Sequence, residues 1–215
     1  QRKVYRVNGG IEMITLCMDT SSKFLVLALI EDHQLIGKRC LSSWKRQSEM
    51  IFPQLTELLE ECHLKPKAIN EVVVAKGPGS YTGVRIAMTV AKVLCSTAQL
   101  PLYALPTLEL IGAGKTRAAV MLDARSQRAY FGMIEKGKLV GKEEVLPLSE
   151  IQARIEETGD LELAGDCSLL GLEDCYPDLA EAFLIARPQW QKVENVHLLV
   201  PEYLKSADDY LVKKS

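Results

Sequence analysis

Apolar positions along the chain change repeatedly between strand-like and helical spacing, which predicts an α/β protein. Residues 16–38 read as a meander of three strands joined by tight turns. Residues 47–62 then carry apolar side chains at helical spacing, with Ser48 as a plausible N-cap. A buried strand at residues 71–75 and a second helix at residues 81–98 complete the predicted core of the first half.

The opening meander recurs in the second half of the chain. Residues 120–142 align with residues 16–38 without a gap, and many apolar positions correspond. Because this period is far longer than that of a solenoid, the pattern predicts two related lobes that each start with a three-stranded meander. The alternative is a chance likeness between two hairpins, which share turn residues in any case. The identical pairs are Asp19/Asp123, Ser22/Ser126, Glu31/Glu135, Leu35/Leu139, Gly37/Gly141 and Lys38/Lys142.

The repeat divides the chain into a first lobe at residues 13–108 and a second lobe at residues 109–215. The first lobe has the predicted order β-β-β-α-β-α-β. The second repeats the meander before a helix at residues 148–157 and a strand at residues 161–164, and it loses regularity towards its end. Residues 1–12 are polar, unlike the apolar strand after them, so we expect an extension or a remnant there.

The composition is that of an ordinary globular protein, and it excludes some classes of function. Apolar residues make up 47% and charged residues 25% of the 215 residues. No apolar run approaches the roughly 20 residues that cross a bilayer, so we expect a cytoplasmic protein without a membrane partner. The net charge is −2, from 26 basic and 28 acidic residues. A partner, rather than this chain, is therefore expected to hold any nucleic acid.

Few residues follow a pattern typical of catalysis or of metal binding. The histidines are His33, His63 and His197, and none forms a pair at helical spacing. The six cysteines contain no C-x-x-C pair, which favours small buried residues in a reducing cytosol. A G-x-S-x-G stretch is absent as well. We therefore predict no catalytic residue and no metal site.

The stretch GPGSYTGVR at residues 77–85 opens the second helix and allows two interpretations. Backbone N–H groups around Gly77, Gly79, Ser80 and Thr82 could hold a phosphate or another anion. Alternatively, the glycines permit a sharp turn from strand to helix, and Ser80 or Thr82 caps the helix. The Lys-Ser/Thr ending of a Walker loop is absent, which favours the second interpretation.

The second helix is apolar on nearly all sides. Gly83, Ala87, Ala91 and Cys95 recur at four-residue intervals, so another backbone can approach this stripe closely. A helix of this kind is buried on more than one side, and the sheet of its own lobe covers only one. The pattern favours a helix-pair surface that docks another subunit. The alternative is that the second lobe or the first helix covers the remaining sides.

Five stretches form a recognisable set: MDTSS at 18–22, QSE at 47–49, GPGSYTGVR at 77–85, LDAR at 122–125 and PEYLK at 201–205. Together they resemble the bacterial TsaB family over residues 13–205, and the nine-residue stretch is the most specific part. Two features depart from the family pattern. Gln47 stands where a histidine is frequent, and residues 186–200 are shorter than usual, so the last helix of the family is expected to be missing or altered.

The resemblance implies a duplicated α/β fold of the actin, hexokinase and Hsp70 type, which agrees with the repeat. It implies a non-catalytic accessory subunit that supports a TsaD-type paralogue, together with a TsaE-type ATPase, in a cytosolic assembly. That assembly transfers a threonylcarbamoyl group to the adenosine beside the tRNA anticodon, giving N6-threonylcarbamoyladenosine. The resemblance implies no cofactor for this chain itself and only indirect contact with tRNA, although ATP or ADP could bind at a partner interface.

The resemblance also implies roles for two groups of residues. Asp19, Thr20 and Ser21 lie where actin-like ATPases place their first phosphate loop, but the repeat partner Asp123 is followed by Ala-Arg, which indicates a degraded nucleotide site. TsaB proteins pair through their first two long helices, with TsaD or, when alone, as a homodimer. The predicted interface consists of Gln47, Met50, Ile51, Gln54, Val84, Arg85, Met88 and Lys92. We expect Val84→Glu or Met88→Glu to abolish pairing and to leave the monomer folded.

Two other functions are compatible with the sequence. One is an active enzyme, either an ATPase or kinase of the actin-like fold or a glycoprotease-like metallohydrolase. Intrinsic ATPase activity or a bound metal, lost in Asp19→Ala, would favour that function. The other is a homodimeric binding module with no connection to tRNA, which complementation of a strain lacking TsaB would distinguish from the accessory role.

Overall fold

The computed structural model describes residues 13–43 and 45–204. The predicted extension at residues 1–12 and the final Lys205 of the PEYLK stretch lie outside the described residues. The strands are β1 (Ile14–Asp19), β2 (Phe24–Glu31), β3 (Gln34–Ser42), β4 (Ile69–Ala75), β5 (Leu102–Leu105), β6 (Arg117–Asp123), β7 (Arg128–Glu135), β8 (Lys138–Pro147), β9 (Glu162–Gly165) and β10 (Gln191–Lys192). The α-helices are α1 (Gln47–Glu61), α2 (Tyr81–Ala98), α3 (Thr107–Ile111), α4 (Leu148–Thr158) and α5 (Leu179–Ile185).

Two mixed sheets show the duplication that the sequence repeat predicts. The first sheet has the order β10-β5-β4-β1-β2-β3, and the second has the order β9-β6-β7-β8. In both sheets an antiparallel meander is followed by a strand parallel to its first strand, β4 beside β1 and β9 beside β6. The turns match as well, because Asp19 Oδ1 accepts from Ser21 N and Asp123 Oδ1 accepts from Arg125 N, each at 2.7 Å.

The first sheet is buried on both faces, which explains the continuous apolar runs of β1, β2 and β4. Successive side chains point to opposite faces, so Leu16 and Met18 face α1 and α2, while Cys17 faces the other way. That other face packs against α3, α5 and the second sheet in a central core between the lobes. On the far side, α4 covers the second sheet through Ile151 and its neighbours.

The helix ends agree with the predictions in part. The helix α2 spans the predicted residues, and its N-cap is Ser80. The helix α1 begins at Gln47, so its N-cap is Arg46, which makes no side-chain capping bond. The prediction of Ser48 as the cap is therefore wrong, because Gln47 turns inward and already lies in the first helical turn. No helix in the described part of the chain is long and apolar enough to cross a membrane.

The end of the described chain returns to the first lobe. After α5, the strand β10 pairs with β5, and residues 193–204 then run along α2. We call residues 193–204 the strap. The sequence places residues 109–215 in the second lobe. In the structure, β10 at residues 191–192 instead pairs with β5 of the first sheet. A pairing of two residues has no periodicity that a sequence could reveal.

Candidate functional site

The residues predicted for a nucleotide or anion site come together beside the start of α2. Asp19 ends β1, Thr20 and Ser21 follow it, and all three residues are buried. Thr20 Oγ1 donates to Gly83 O at 2.6 Å and accepts from Ala87 N at 3.0 Å. Burial raises the pKa of Asp19, although hydrogen bonds from Ser21 and Thr20 oppose this shift. The polar groups of this turn are therefore largely engaged within the lobe.

The turn at residues 77–80 packs directly on the loop after β1. Ser80 N donates to Ser21 O at 2.7 Å, and a Cβ on Gly79 would overlap the same carbonyl oxygen. Ser80 Oγ accepts from Gly83 N at 3.2 Å and thereby caps α2. These contacts match the interpretation of the stretch as a sharp turn and cap.

Two predicted residues of this group lie at its edges. Gly77 has φ of 105°, a backbone conformation that favours glycine, and it packs against the backbone of Glu202 in the strap. Thr82 is exposed on the first turn of α2. Ser21 Oγ is buried beside the Asp19 carboxylate. The two loops thus bond mainly to each other.

Lys23 joins the two lobes beside these loops. Its ammonium forms ion pairs with Asp174 and, at 3.4 Å, with Asp166. It also lies 5.0 Å from the centre of the Tyr176 ring, whose hydroxyl donates to Asp166 at 2.7 Å. Burial opposes the charge of Lys23, but the two carboxylates outweigh it and raise its pKa. Asp166 Oδ2 in turn accepts from Asp123 N at 2.9 Å, so protein side chains bridge the repeated turns of the two lobes.

In the part of the chain that the structure describes, the side chains that could bind a metal ion do not cluster. Among residues 13–43 and 45–204, no group of three or more His, Cys, Asp and Glu side chains could hold a metal. His33 lies in the turn after β2, His63 follows α1, and His197 lies in the strap. All three are exposed.

The inner faces of α1 and α2 pack on the first sheet, which corrects part of the predicted interface. Ile51, Val84 and Met88 are only 1–2% exposed and lie in the core between both helices and the sheet. The small-residue stripe faces inward as well, because a Cβ on Gly83 would overlap the Thr20 carbonyl oxygen. Two helices cover this sheet face, so each turns its most apolar side towards it. The small residues of α2 therefore allow a close approach to the backbone of the loop after β1, within the same lobe.

The other predicted interface residues are mostly engaged within the chain. Gln47 is buried, and its Nε2 donates to the carbonyl of the turn after β1 at 3.1 Å. Gln54 and Lys92 are half-buried and form hydrogen bonds inside the protein. Met50 is half-buried against the core of the first lobe. Arg85 is exposed on the outer face of α2.

The outer faces of α1 and α2 form an open apolar groove of about 470 Å³. Phe52 is 58% exposed, Val93 is 59% exposed and Tyr81 is 44% exposed. Large apolar side chains that are exposed together on one surface are typical of interaction sites. We call this surface the docking groove. Its lining residues are Ser48, Ile51, Phe52, Tyr81, Thr82, Arg85, Ile86, Thr89, Val90, Val93 and Leu94.

Most of the outer stripe of α2 is absent from the predicted interface. Tyr81, Arg85, Thr89 and Val93 recur at four-residue intervals, as the small residues do. The two stripes are offset by two positions, which places them about 200° apart around the helix. The same four-residue spacing could therefore have revealed this stripe in the sequence. When one stripe of a surface helix is buried, the opposite stripe faces outward.

The strap reaches one end of the docking groove. The rings of Tyr203 and Tyr81 are stacked, with centroids 5.0 Å apart and an interplanar angle of 24°. The Arg85 guanidinium lies 5.5 Å from the centre of the Tyr81 ring and donates to its hydroxyl at 3.3 Å. Hydrogen bonding to Tyr203 contributes most to the raised pKa of Arg85. A basic, aromatic edge thus borders the apolar groove.

Residues 42–158 match the family model described as TsaD: tRNA N6-adenosine threonylcarbamoyltransferase. The chain is also 30% identical, over 224 aligned residues, to the tRNA threonylcarbamoyladenosine biosynthesis protein TsaB of Bacillus subtilis. That alignment covers 91% of this chain and 96% of the relative. The chain belongs to the TsaB family. The family that the sequence motifs resemble is thereby confirmed.

Solved structures show the same fold as this TsaB family member. A Pseudomonas aeruginosa protein described as similar to peptidase YEAZ matches with a TM-score of 0.74 at 25% identity, covering 90% of this chain and all of that one. YeaZ from Pseudomonas aeruginosa matches with a TM-score of 0.67 at 24% identity, covering 89% of this chain and 100% of that one. Together with the repeated strand order, these matches confirm the predicted duplicated, actin-like α/β fold.

Proposed function

We propose that this chain is a non-catalytic accessory subunit that supports a TsaD-type transferase in making N6-threonylcarbamoyladenosine in tRNA. Its TsaB relative is named for the biosynthesis of this nucleoside, which supports the pathway. The observation that carries the accessory role is the docking groove, where Phe52 and Val93 hold large apolar side chains in solvent. Covering such a surface with a partner is thermodynamically favourable, because apolar side chains are removed from water.

The partner that fits this groove best is a TsaD-type paralogue. Residues 42–158, which contain both α1 and α2, match the family model described as TsaD, so a TsaD-type protein shares the pattern of this region. A partner built on the same pattern brings its own pair of helices, and two such pairs can pack ridge into groove. A second copy of this chain would use the same surface, so homodimer and heteromeric complex compete. A TsaE-type ATPase completes the proposed complex in the cytoplasm.

The lack of a catalytic role is supported by the contacts of the polar residues beside the start of α2. The hydroxyls of Thr20 and Ser80 are hydrogen-bonded to the first turn of α2, and Lys23 is already paired with the carboxylates of Asp166 and Asp174. We propose that the chain needs no cofactor of its own and that nucleotide enters the assembly at a partner interface. The net charge of −2 supports only indirect contact with tRNA.

Substituting exposed groove residues tests this function. Val93→Glu and Phe52→Glu place a charge in the apolar groove without entering the core, so they should weaken binding to a TsaD-type partner by about 30-fold or more. Calorimetric titration measures the Kd, and nucleoside analysis of tRNA from a TsaB-deficient strain measures the modification. We expect both variants to fail in restoring the modified nucleoside.

A matched control is Val140→Glu, which changes a valine of similar exposure, 48%, on β8 of the second lobe. It should bind the partner and restore the modification like the unchanged chain. Circular dichroism confirms that each variant is folded. Full binding and full restoration by Val93→Glu and Phe52→Glu would show that the docking groove is not the partner surface.

A further inference from the structure

The strap is fastened to the first lobe by two lysines and by its own apolar side chains. Lys92 Nζ in α2 donates to the carbonyls of His197 at 3.0 Å and Leu199 at 2.8 Å. Further along, Glu202 N donates to Lys76 O at 2.8 Å, and the Glu202 carboxylate lies 3.3 Å from Lys76 Nζ. Several apolar side chains of the strap also pack against the core of the first lobe. The strap is therefore part of the surface of the first lobe, although it follows the second lobe in the chain.

The strap lies on the flank of α2 that faces away from α1. It contacts α2 at Lys92 and, through the stacked ring of Tyr203, at Tyr81. Lys92 lies about 20° from Tyr81 around the helix, at 100° per residue. The groove residues Ile86 and Val90 lie about 140° and 180° from Tyr81. The exposed side of α2 therefore has the docking groove on one flank and the strap on the other.

The strap carries the most exposed large apolar side chains of the residues that the structure describes. Leu198 is 73% exposed and Val200 is 68% exposed, while Leu199 between them packs against the core of the first lobe. In the docking groove, Val93 of α2 is 59% exposed and Phe52 of α1 is 58% exposed. Large apolar side chains are thus exposed on three neighbouring elements, and exposure of this kind is typical of an interaction site.

A stable interface needs more surface than the docking groove alone provides. The groove is lined by 11 residues, whereas a stable interface uses about 20–30 residues on each side. A partner in the groove must therefore extend over a neighbouring flank. The exposed residues of α1 include Glu49, Glu57 and Glu60, while the strap exposes Leu198 and Val200. Because glutamate is depleted from the buried centre of interfaces, the strap is the favoured flank.

The charge of this surface favours a different protein over a second copy of this chain. Arg85 is exposed on α2, and none of the residues that line the docking groove is acidic. A symmetric pair uses the same patch twice, so it would bring together two Arg85 side chains without a carboxylate from the groove. A partner that places a carboxylate opposite Arg85 is electrostatically complementary.

We propose that the strap is part of the docking surface, and that a TsaD-type partner covers Leu198 and Val200 while it occupies the docking groove. The partner presents apolar side chains to the strap and a carboxylate to Arg85. This inference rests on the proposed function for the identity of the partner. It adds a third element, from the far end of the chain, to the surface formed by α1 and α2.

Charged substitutions on the strap test this inference. Leu198→Glu and Val200→Glu change exposed side chains, so neither variant enters the core. We expect each to weaken binding of the full chain to a TsaD-type partner at least about tenfold in calorimetric titration. The matched controls Leu172→Glu and Val140→Glu change residues of the second lobe that are 54% and 48% exposed, and both should bind like the unchanged chain. Melting curves from circular dichroism check that all four variants are folded.

Hydrogen exchange of the unchanged chain gives a second test, which needs no substitution. Binding of a TsaD-type partner should slow exchange of the amides of residues 198–203 at least about threefold, because a covered strap opens less often. Residues 138–142 of the second lobe serve as the internal control, and their exchange should not change. An unchanged exchange rate at residues 198–203 in the saturated complex would contradict the inference.

The binding results separate this inference from the proposed function. Full binding by Leu198→Glu and Val200→Glu, with weakened binding by Phe52→Glu and Val93→Glu, would overturn the role of the strap and leave the proposed function intact. Full binding by all four would overturn both. Sedimentation velocity measures self-association of the same variants. If the strap variants lose self-association and still bind the TsaD-type partner fully, the strap belongs to a contact between two copies of this chain, and the inference is wrong.

Discussion

Thr20 shows at the scale of one residue how a loop that resembles a phosphate site serves as a structural joint. Its hydroxyl donates to Gly83 O and accepts from Ala87 N, so it links the turn after β1 to the first turns of α2. Both bonds are buried. A hydroxyl used in this way keeps the helix close to the strand end and is not directed at a ligand.

Thr20→Val should therefore destabilise the fold by about 1 kcal/mol or more, because the methyl group that replaces the hydroxyl can form neither of these buried hydrogen bonds. Thr20→Ser keeps the hydroxyl and should cost less than about 1 kcal/mol. Urea denaturation measures both free energies of unfolding. Equal stability of the valine and serine variants would contradict the structural role.

At the scale of the element, α2 carries two stripes with opposite tasks. Gly83 and its small neighbours let the helix lie close to β1 and its loop, while Tyr81, Arg85 and Val93 line the docking groove. The sequence predicted the bounds of α2 and its apolar character, yet it assigned the buried stripe to the partner. Periodicity shows that two sides differ, but only the packed neighbours decide which side meets the sheet.

Adjacent substitutions in α2 should separate folding from docking. Met88 is 2% exposed, so Met88→Glu buries an unpaired carboxylate and should destabilise the chain by about 3 kcal/mol or more, contrary to the expectation of a folded monomer. Thr89→Glu, one residue further, points into the groove and should leave the melting temperature nearly unchanged while weakening partner binding. A folded, soluble Met88→Glu monomer with an unchanged melting temperature would refute this assignment.

At the scale of the whole molecule, side chains from distant parts of the chain connect the lobes. Lys23 in the first lobe pairs with Asp166 and Asp174 in the second, and the strap returns from the second lobe to cover the flank of α2. Lys38 adds a second link through Asp178 and Glu181 of α5. The angle between the lobes is therefore held by ion pairs as well as by the central apolar core.

The two lysine links should differ in strength. Lys23→Met keeps the apolar stem but removes the cation beside two partly buried carboxylates and its contact with the Tyr176 ring, so we expect a loss of roughly 1–2 kcal/mol. Lys38→Met changes a more exposed side chain and should cost less than about 1 kcal/mol. Urea denaturation compares the two variants, and a larger loss in Lys38→Met would contradict the proposed link through Lys23.

The sequence by itself determined the repeat, the order of the elements, the bounds of α2 and the family to which the motifs GPGSYTGVR and MDTSS belong. These features depend on local periodicity and on short contiguous patterns, which a single chain displays directly. Only the tertiary structure decided which face of α2 is exposed, how Lys23 joins Asp166 and how the strap brings Glu202 to Lys76. Those contacts link positions far apart in the chain, and their strength depends on burial that no local pattern encodes.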